Sequence, residues 1–163
     1  MSVTDELIQN NESYAASFDK ADLPTPPAKQ VAVVACMDAR LIPTRALGLD
    51  EGDAHVIRNA GGSAQDALRS LVISQRLLGT KEVLVIHHTE CGMLTFSNDD
   101  LYAKVQEDLG ADASHIDFLP FPDLDQSVRD DVQFLKDSPL IPDDVSVRGF
   151  VYDVKTGKVT EVN

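Results

Sequence analysis

Residues 30–40, QVAVVACMDAR, decide how the rest of the chain is read. From Val31 to Cys36 the run is apolar without interruption, which is the length and pattern of a parallel strand buried on both faces. It ends in Cys36-Met37-Asp38-Ala39-Arg40, and core packing gives no reason to place a thiol, an acid and a base at the end of a buried strand.

Downstream, residues 43–49 suggest a short helix, and DAHVIRNA (53–60) reads as a second strand closing in RNAGG, whose two glycines permit a tight turn. Residues 63–78 carry Ala67, Leu68, Leu71, Val72 and Leu78 at helical spacing, with a Ser63-x-x-Asp66 cap before them and Gly79 as a stop. EVLVIHH (82–88) is a third buried strand, so the order strand, strand, helix, strand predicts an α/β fold: a central, mainly parallel sheet flanked by helices. Stretches 98–109 and 122–136 read as acidic helices, and 147–162 as two strands joined at Lys155-Thr156-Gly157.

Upstream, residues 3–18 have helical spacing, with Thr4 as the expected cap, and the segment 19–29 contains three prolines that cannot continue a helix. Residues 1–29 are therefore expected to form a helix and an extended arm free to pack on a partner subunit. With 163 residues and 43% hydrophobic content, 1–163 is expected to be one domain.

Fourteen Lys and Arg against 27 Asp and Glu give a formal net charge of -13, which repels nucleic acid and anionic membranes. No apolar run approaches the roughly 20 residues of a membrane span, and MSVTDELIQNN lacks the regions of a signal peptide, so a cytoplasmic protein is expected. Two cysteines are too few for a disulfide-dense scaffold, although they could form one bridge or bind a metal together.

Three strand ends gather reactive side chains: Cys36 to Arg40, Arg58 to Gly62, and His87 to Gly92. Ligands in open α/β sheets bind beyond the carboxyl ends of the strands, so this clustering locates a site. Cys36 with His88-x-x-Cys91 offers two thiolates and an imidazole, a donor set suited to tetrahedral zinc with a fourth position left for water or a carboxylate. Zinc lowers the pKa of bound water to about 7, so the reaction class is hydroxide addition to an electrophilic carbon. Asp38 and Arg40 are expected to pair, with Asp38 either accepting a hydrogen bond from that water or itself taking the fourth position.

Cys36-x-Asp38-x-Arg40, Arg58-Asn59-Ala60-Gly61 and His88-x-x-Cys91-Gly92, in this order and spacing, resemble the β-class carbonic anhydrase family, in particular its compact subgroup, which includes carbonyl sulfide hydrolases. The resemblance implies one zinc per subunit held by Cys36, His88 and Cys91, and a catalytic Asp38–Arg40 dyad. It also implies a homodimer or dimer of dimers with a swapped N-terminal helix. The implied reaction is zinc hydroxide attack on carbon dioxide, giving bicarbonate, with carbonyl sulfide as the alternative substrate. The sequence departs from the family's usual Gly-His-Ser-x-Cys-Gly-Gly at His87, Thr89 and Met93, and from Arg-Asn-Ala-Gly-Asn at Gly62.

Other readings compete. His87 fits a core histidine better than a catalytic one, and His55, His87 and His115 are the available proton shuttles, none singled out by spacing. Arg58 and Asn59 suit hydrogen bonding to turn carbonyls. KTGK (155–158) lacks the glycine spacing of a phosphate loop, and the acidic stretches 98–100 and 129–131 read as solvated helix faces. A non-catalytic zinc or redox module, exchanging metal for a Cys36–Cys91 disulfide, is the alternative outside enzyme chemistry.

Overall fold

Strand β1 (Val31–Cys36) is buried from Ala32 onward because it has a neighbour on each side: the sheet order is β2-β1-β3-β4-β5. The computed structural model describes residues 1–163. Around β1 stand α1 (Val3–Ala16), α2 (Pro43–Leu47), β2 (Ala54–Asn59), α3 (Ala64–Leu78), β3 (Glu82–His88), α4 (Asn98–Leu109), α5 (Leu124–Asp137), β4 (Ser146–Tyr152) and β5 (Val159–Val162). Strands β1 to β4 pair in parallel, and only β5 runs antiparallel, against β4.

The register positions the chemistry. Cys36 lies opposite Asn59 of β2, and Ala35 opposite Ile86 of β3, so the three chains leave the sheet at the same end. Beyond β1 the chain proceeds to β2 on one side, whereas β3 leads to β4 on the other, and the crevice between β1 and β3 is the place where such sheets bind ligands.

One face of the sheet carries the larger core. Ala32 and Val34 of β1, Val83 and Val85 of β3 and Val147 of β4 pack against Ala64, Ala67 and Leu71 of α3 and Leu135 of α5. The three-to-four-residue spacing on α3 makes that stripe, with Ser63 Oγ accepting from Asp66 N at its start and Gly79 in the left-handed conformation at its end, as the sequence predicts. Val33, Ala35, Leu41 and Ile86 form a smaller cluster on the opposite face. Alternation along β3 therefore sends Val85 and His87 toward α5, and Ile86 and His88 the other way.

Several boundaries differ from those read in the sequence. Helix α1 is capped by Ser2, not Thr4: Ser2 Oγ accepts from Asp5 N, and the Asp5 carboxylate accepts from Ser2 N, a reciprocal box that Thr4 cannot form from inside the helix. Pro122 stands outside α5, whose cap is Asp123. The final hairpin turns over 153–158, where the Asp153 carboxylate accepts from Lys155 N and Thr156 N. No residue of α1 is buried, and Val3, Leu7, Ile8 and Tyr14 on it are exposed. No helix is long and apolar enough to cross a membrane.

Helix α5 lies against β4 so closely that only glycine fits at position 149: a Cβ there would overlap Val128 Cγ1 and lie 2.9 Å from Val132 Cγ2. Gly149→Ala should therefore destabilise the protein by about 1–3 kcal/mol, read as a lower urea midpoint at constant slope. Adding Val128→Ala should cost less than the sum of the two single changes, since it vacates the space the new methyl needs.

Candidate metal centre

The end of β1 supplies Cys36, the end of β3 supplies His88, and the turn after β3 supplies Cys91. Their donor atoms all lie within 4.8 Å of one another, and the residues are 5%, 0% and 2% exposed. Both cysteines are free thiols, so the single bridge considered from composition is not formed.

His88 shows why this cluster is more than a polar accident. Its Nδ1 lies 2.8 Å from the Thr89 carbonyl, which can only accept, so Nδ1 carries the proton and Nε2 keeps its lone pair. That Nε2 is buried without a hydrogen-bond partner. A buried orphan of this kind costs about 1–3 kcal/mol unless something coordinates it. A zinc ion bonds sulfur at about 2.3 Å and nitrogen at about 2.0 Å in a tetrahedron, and an orphaned imidazole nitrogen beside two thiols fits such an ion. Without metal, the close approach of the two thiols holds the Cys36 pKa down and the Cys91 pKa up.

Asp38 stands at the rim of this trio, its Oδ2 3.6 Å from His88 Nε2. Arg40 grips it in fork geometry: Nε donates to Oδ1 at 3.0 Å and Nη2 to Oδ2 at 2.9 Å, while the Arg40 backbone N–H donates to Oδ1 at 2.8 Å. These Arg40 hydrogen bonds hold the Asp38 carboxyl well below the usual carboxylate range, so it is an acceptor at any ordinary pH.

The turns beneath the site are held by the last residues of β2. Arg58 donates to the carbonyls of Cys36, Asp38 and Leu41 at 2.7–2.9 Å, bracing the whole 36–41 turn from one guanidinium. Asn59 clamps the next turn, accepting from Ser63 N and donating to Ser63 O. Gly62, at φ +68°, sits where a Cβ would come within 2.9 Å of both Cys36 N and Ile86 O, so the approach of this turn to β1 and β3 depends on its missing side chain.

Residues 31–159 match the carbonic anhydrase family profile. A protein named beta-carbonic anhydrase 1 from Mycobacterium tuberculosis is 49% identical over 165 residues, covering 99% of each chain. The chain belongs to the β-carbonic anhydrase family. The crystal structure of carbonic anhydrase from Streptococcus mutans superposes with a TM-score of 0.96 at 51% identity, covering 100% of this chain and 99% of that one. A protein named carbon disulfide hydrolase from Acidithiobacillus thiooxidans is 33% identical, over 96% of this chain and 89% of its own. As a member of this family the chain is an enzyme.

Within this β-carbonic anhydrase fold, Met93 packs with Cys36 and Cys91, and Leu94, Phe96 and Phe121 lean on them to form an apolar wall. Phe121 also stacks on His87, with ring centroids 5.2 Å apart. His87 is a core residue: Nδ1 meets Ser127 Oγ at 2.7 Å, and Nε2 meets Asp131 Oδ2 at 3.0 Å and the Gly62 carbonyl at 3.2 Å. His55 is bound to Ser74 near the opposite end of β2, and His115 lies exposed in the loop before α5. None of the three makes a hydrogen bond to the side chains of Cys36, His88 or Cys91. Phe121 escapes sequence reading because it follows no local pattern, whereas Asp131, read with 129–131 as a solvated helix face, instead turns inward, its Oδ2 accepting from Ala64 N and meeting His87 Nε2.

Arg58→Lys tests the bracing of the 36–41 turn, since an ammonium cannot reproduce a planar fork serving three carbonyls. A loss of about 1–2 kcal/mol in unfolding free energy is expected, with weaker metal retention against a chelator.

Proposed function

We propose that this protein hydrates carbon dioxide reversibly to bicarbonate, with one zinc ion per chain held by Cys36, His88 and Cys91. The observation that carries the reading is the buried, unpartnered Nε2 of His88, set among two thiols with an arginine-held carboxylate 3.6 Å away. Zinc supplies Lewis acidity there, lowering the pKa of a bound water to about 7.

The chain's own residues do the rest. Asp38, ionised and gripped by Arg40, accepts a hydrogen bond from the attacking water and so points its lone pair toward the substrate carbon. With both oxygens engaged by Arg40, Asp38 acts as an acceptor and leaves the fourth metal position free. Met93 and Phe121 offer apolar surface to a small uncharged molecule, for which the net charge of -13 neither helps nor hinders approach. Zinc content should approach one per chain, and Cys36→Ser should abolish both zinc retention and at least about 99% of stopped-flow hydration activity. Full activity in that variant, or a zinc-free active protein, overturns the assignment.

A second reading uses the same residues on a sulfur analogue, carbonyl sulfide, and relatives named carbon disulfide hydrolase favour it. Sulfide release and carbon dioxide hydration measured on one preparation separate the two, because an apolar wall discriminates such similar substrates by only about 1–3 kcal/mol.

We further infer a homodimer, or a dimer of dimers, in which α1 lies on a second copy: this helix buries nothing of its own chain while exposing Leu7 and Ile8. The free thiols suit a reducing compartment such as the cytoplasm. Leu7→Asp with Ile8→Asp should convert a species of at least twice the chain mass to monomer in light scattering; an unchanged mass contradicts the inference.

A further inference from the structure

Glu90 belongs neither to the three metal donors nor to the Asp38–Arg40 pair, yet it stands between them. It follows His88 by two residues, immediately precedes Cys91, and has φ +54°, a left-handed conformation unusual for glutamate. From this turn its carbonyl accepts from Arg40 Nη2 at 3.1 Å. The same nitrogen donates to Asp38 Oδ2 at 2.9 Å, so one of its hydrogens serves the metal loop and the other the carboxylate.

The Glu90 side chain contributes less. Its oxygens lie 3.9 Å from Arg40 Nη1 and 3.9 Å from Lys155 Nζ, and at 53% exposure solvent screens both pairs. The backbone is what links the two parts of the site. An extended or right-handed residue 90 would swing its carbonyl off Arg40 and leave the guanidinium held by Asp38 alone.

We propose that Glu90 is a positioning residue whose left-handed backbone aims its carbonyl at Arg40, and that this fixes the Asp38 carboxylate relative to the Cys36–His88–Cys91 trio. The kinetic consequence rests on the hydration reading above; the structural consequence does not.

The test compares variants by backbone preference. Glycine and asparagine adopt the left-handed region readily, whereas a β-branched residue resists it. Zinc-loaded Glu90→Gly, Glu90→Asn and Glu90→Val are prepared beside the native protein. Zinc content, the Arg40 Nη2–H resonance (assigned by its loss in Arg40→Lys), and kcat and KM for carbon dioxide are read.

Glu90→Gly and Glu90→Asn should keep the resonance and hold kcat within about twofold, although both lack the carboxylate. Glu90→Val should lose the resonance and drop kcat about tenfold with KM little changed and zinc retained, as expected of a displaced orienting group. If Glu90→Val fails to fold or to hold zinc, Glu90→Ala takes its place, with the resonance weakened relative to the glycine variant. The proposal is overturned if the valine or alanine variant matches the native protein, or if glycine and asparagine do as much harm as valine. Should the native protein prove inactive on carbon dioxide, the hydration reading fails, but the Arg40 resonance still decides the role of Glu90.

Discussion

Two thiols and one imidazole, drawn from chain segments more than fifty residues apart, must stand within 4.8 Å of one another, and most of the fold serves that requirement. It is met by making β1 and β3 adjacent and parallel, so that Cys36 and His88 leave the sheet at the same end. Parallel neighbours need a crossover, and the chain supplies it through β2 and α3, whose apolar stripe then covers the sheet. The crossover begins immediately beneath the donors, which explains why Gly62 is so constrained: any side chain there would push the turn off the two strands it separates.

Bringing these groups together without a metal leaves a buried acceptor unpaired. The trio has one orphaned nitrogen beside two thiols, and an ionised carboxylate lies alongside. Two arginines offset this with different geometries. Arg58 donates to backbone carbonyls and so stiffens the turn that carries Asp38, whereas Arg40 donates to Asp38 itself and to the Glu90 carbonyl. Lysine could provide either charge but neither fork, so the site depends on the planar guanidinium rather than on net charge.

The strands and the gathering of Cys36, His88 and Cys91 were legible in the sequence because the signals are local: continuous apolar runs for β1 and β3, and reactive residues at their ends. His87 and His88 were separable in principle by strand alternation, which assigns neighbouring residues to opposite faces, and the structure places His87 among Ser127, Asp131 and Gly62. What sequence did not reveal depends on distant partners. Asp131 acts on His87 across 44 positions, and Phe121 reaches the cysteines by a loop with no periodicity. The cap of α1 was misplaced for a smaller reason: Ser2 and Thr4 are both acceptable capping residues, and only the side chain at the third helical position, Asp5, distinguishes them.

The two faces of the sheet are unequally covered, and the imbalance bears on how the site is closed. Helices α3 and α5 seal one face, while the other has a small cluster with the short α2 beside it. On the chain that leaves β1, Met37 is 65% exposed between Cys36 and Asp38, and Ile42 is exposed just past Arg40. The hydration proposed above, with water held by Asp38, gains from a dry, low-dielectric surround, and Met37 and Ile42 stand open to solvent on either side of Asp38. The same chain leaves the whole apolar stripe of α1 uncovered. In the dimer proposed above, a second copy that covered residues 37–42 would also exclude bulk water from the Asp38 carboxylate.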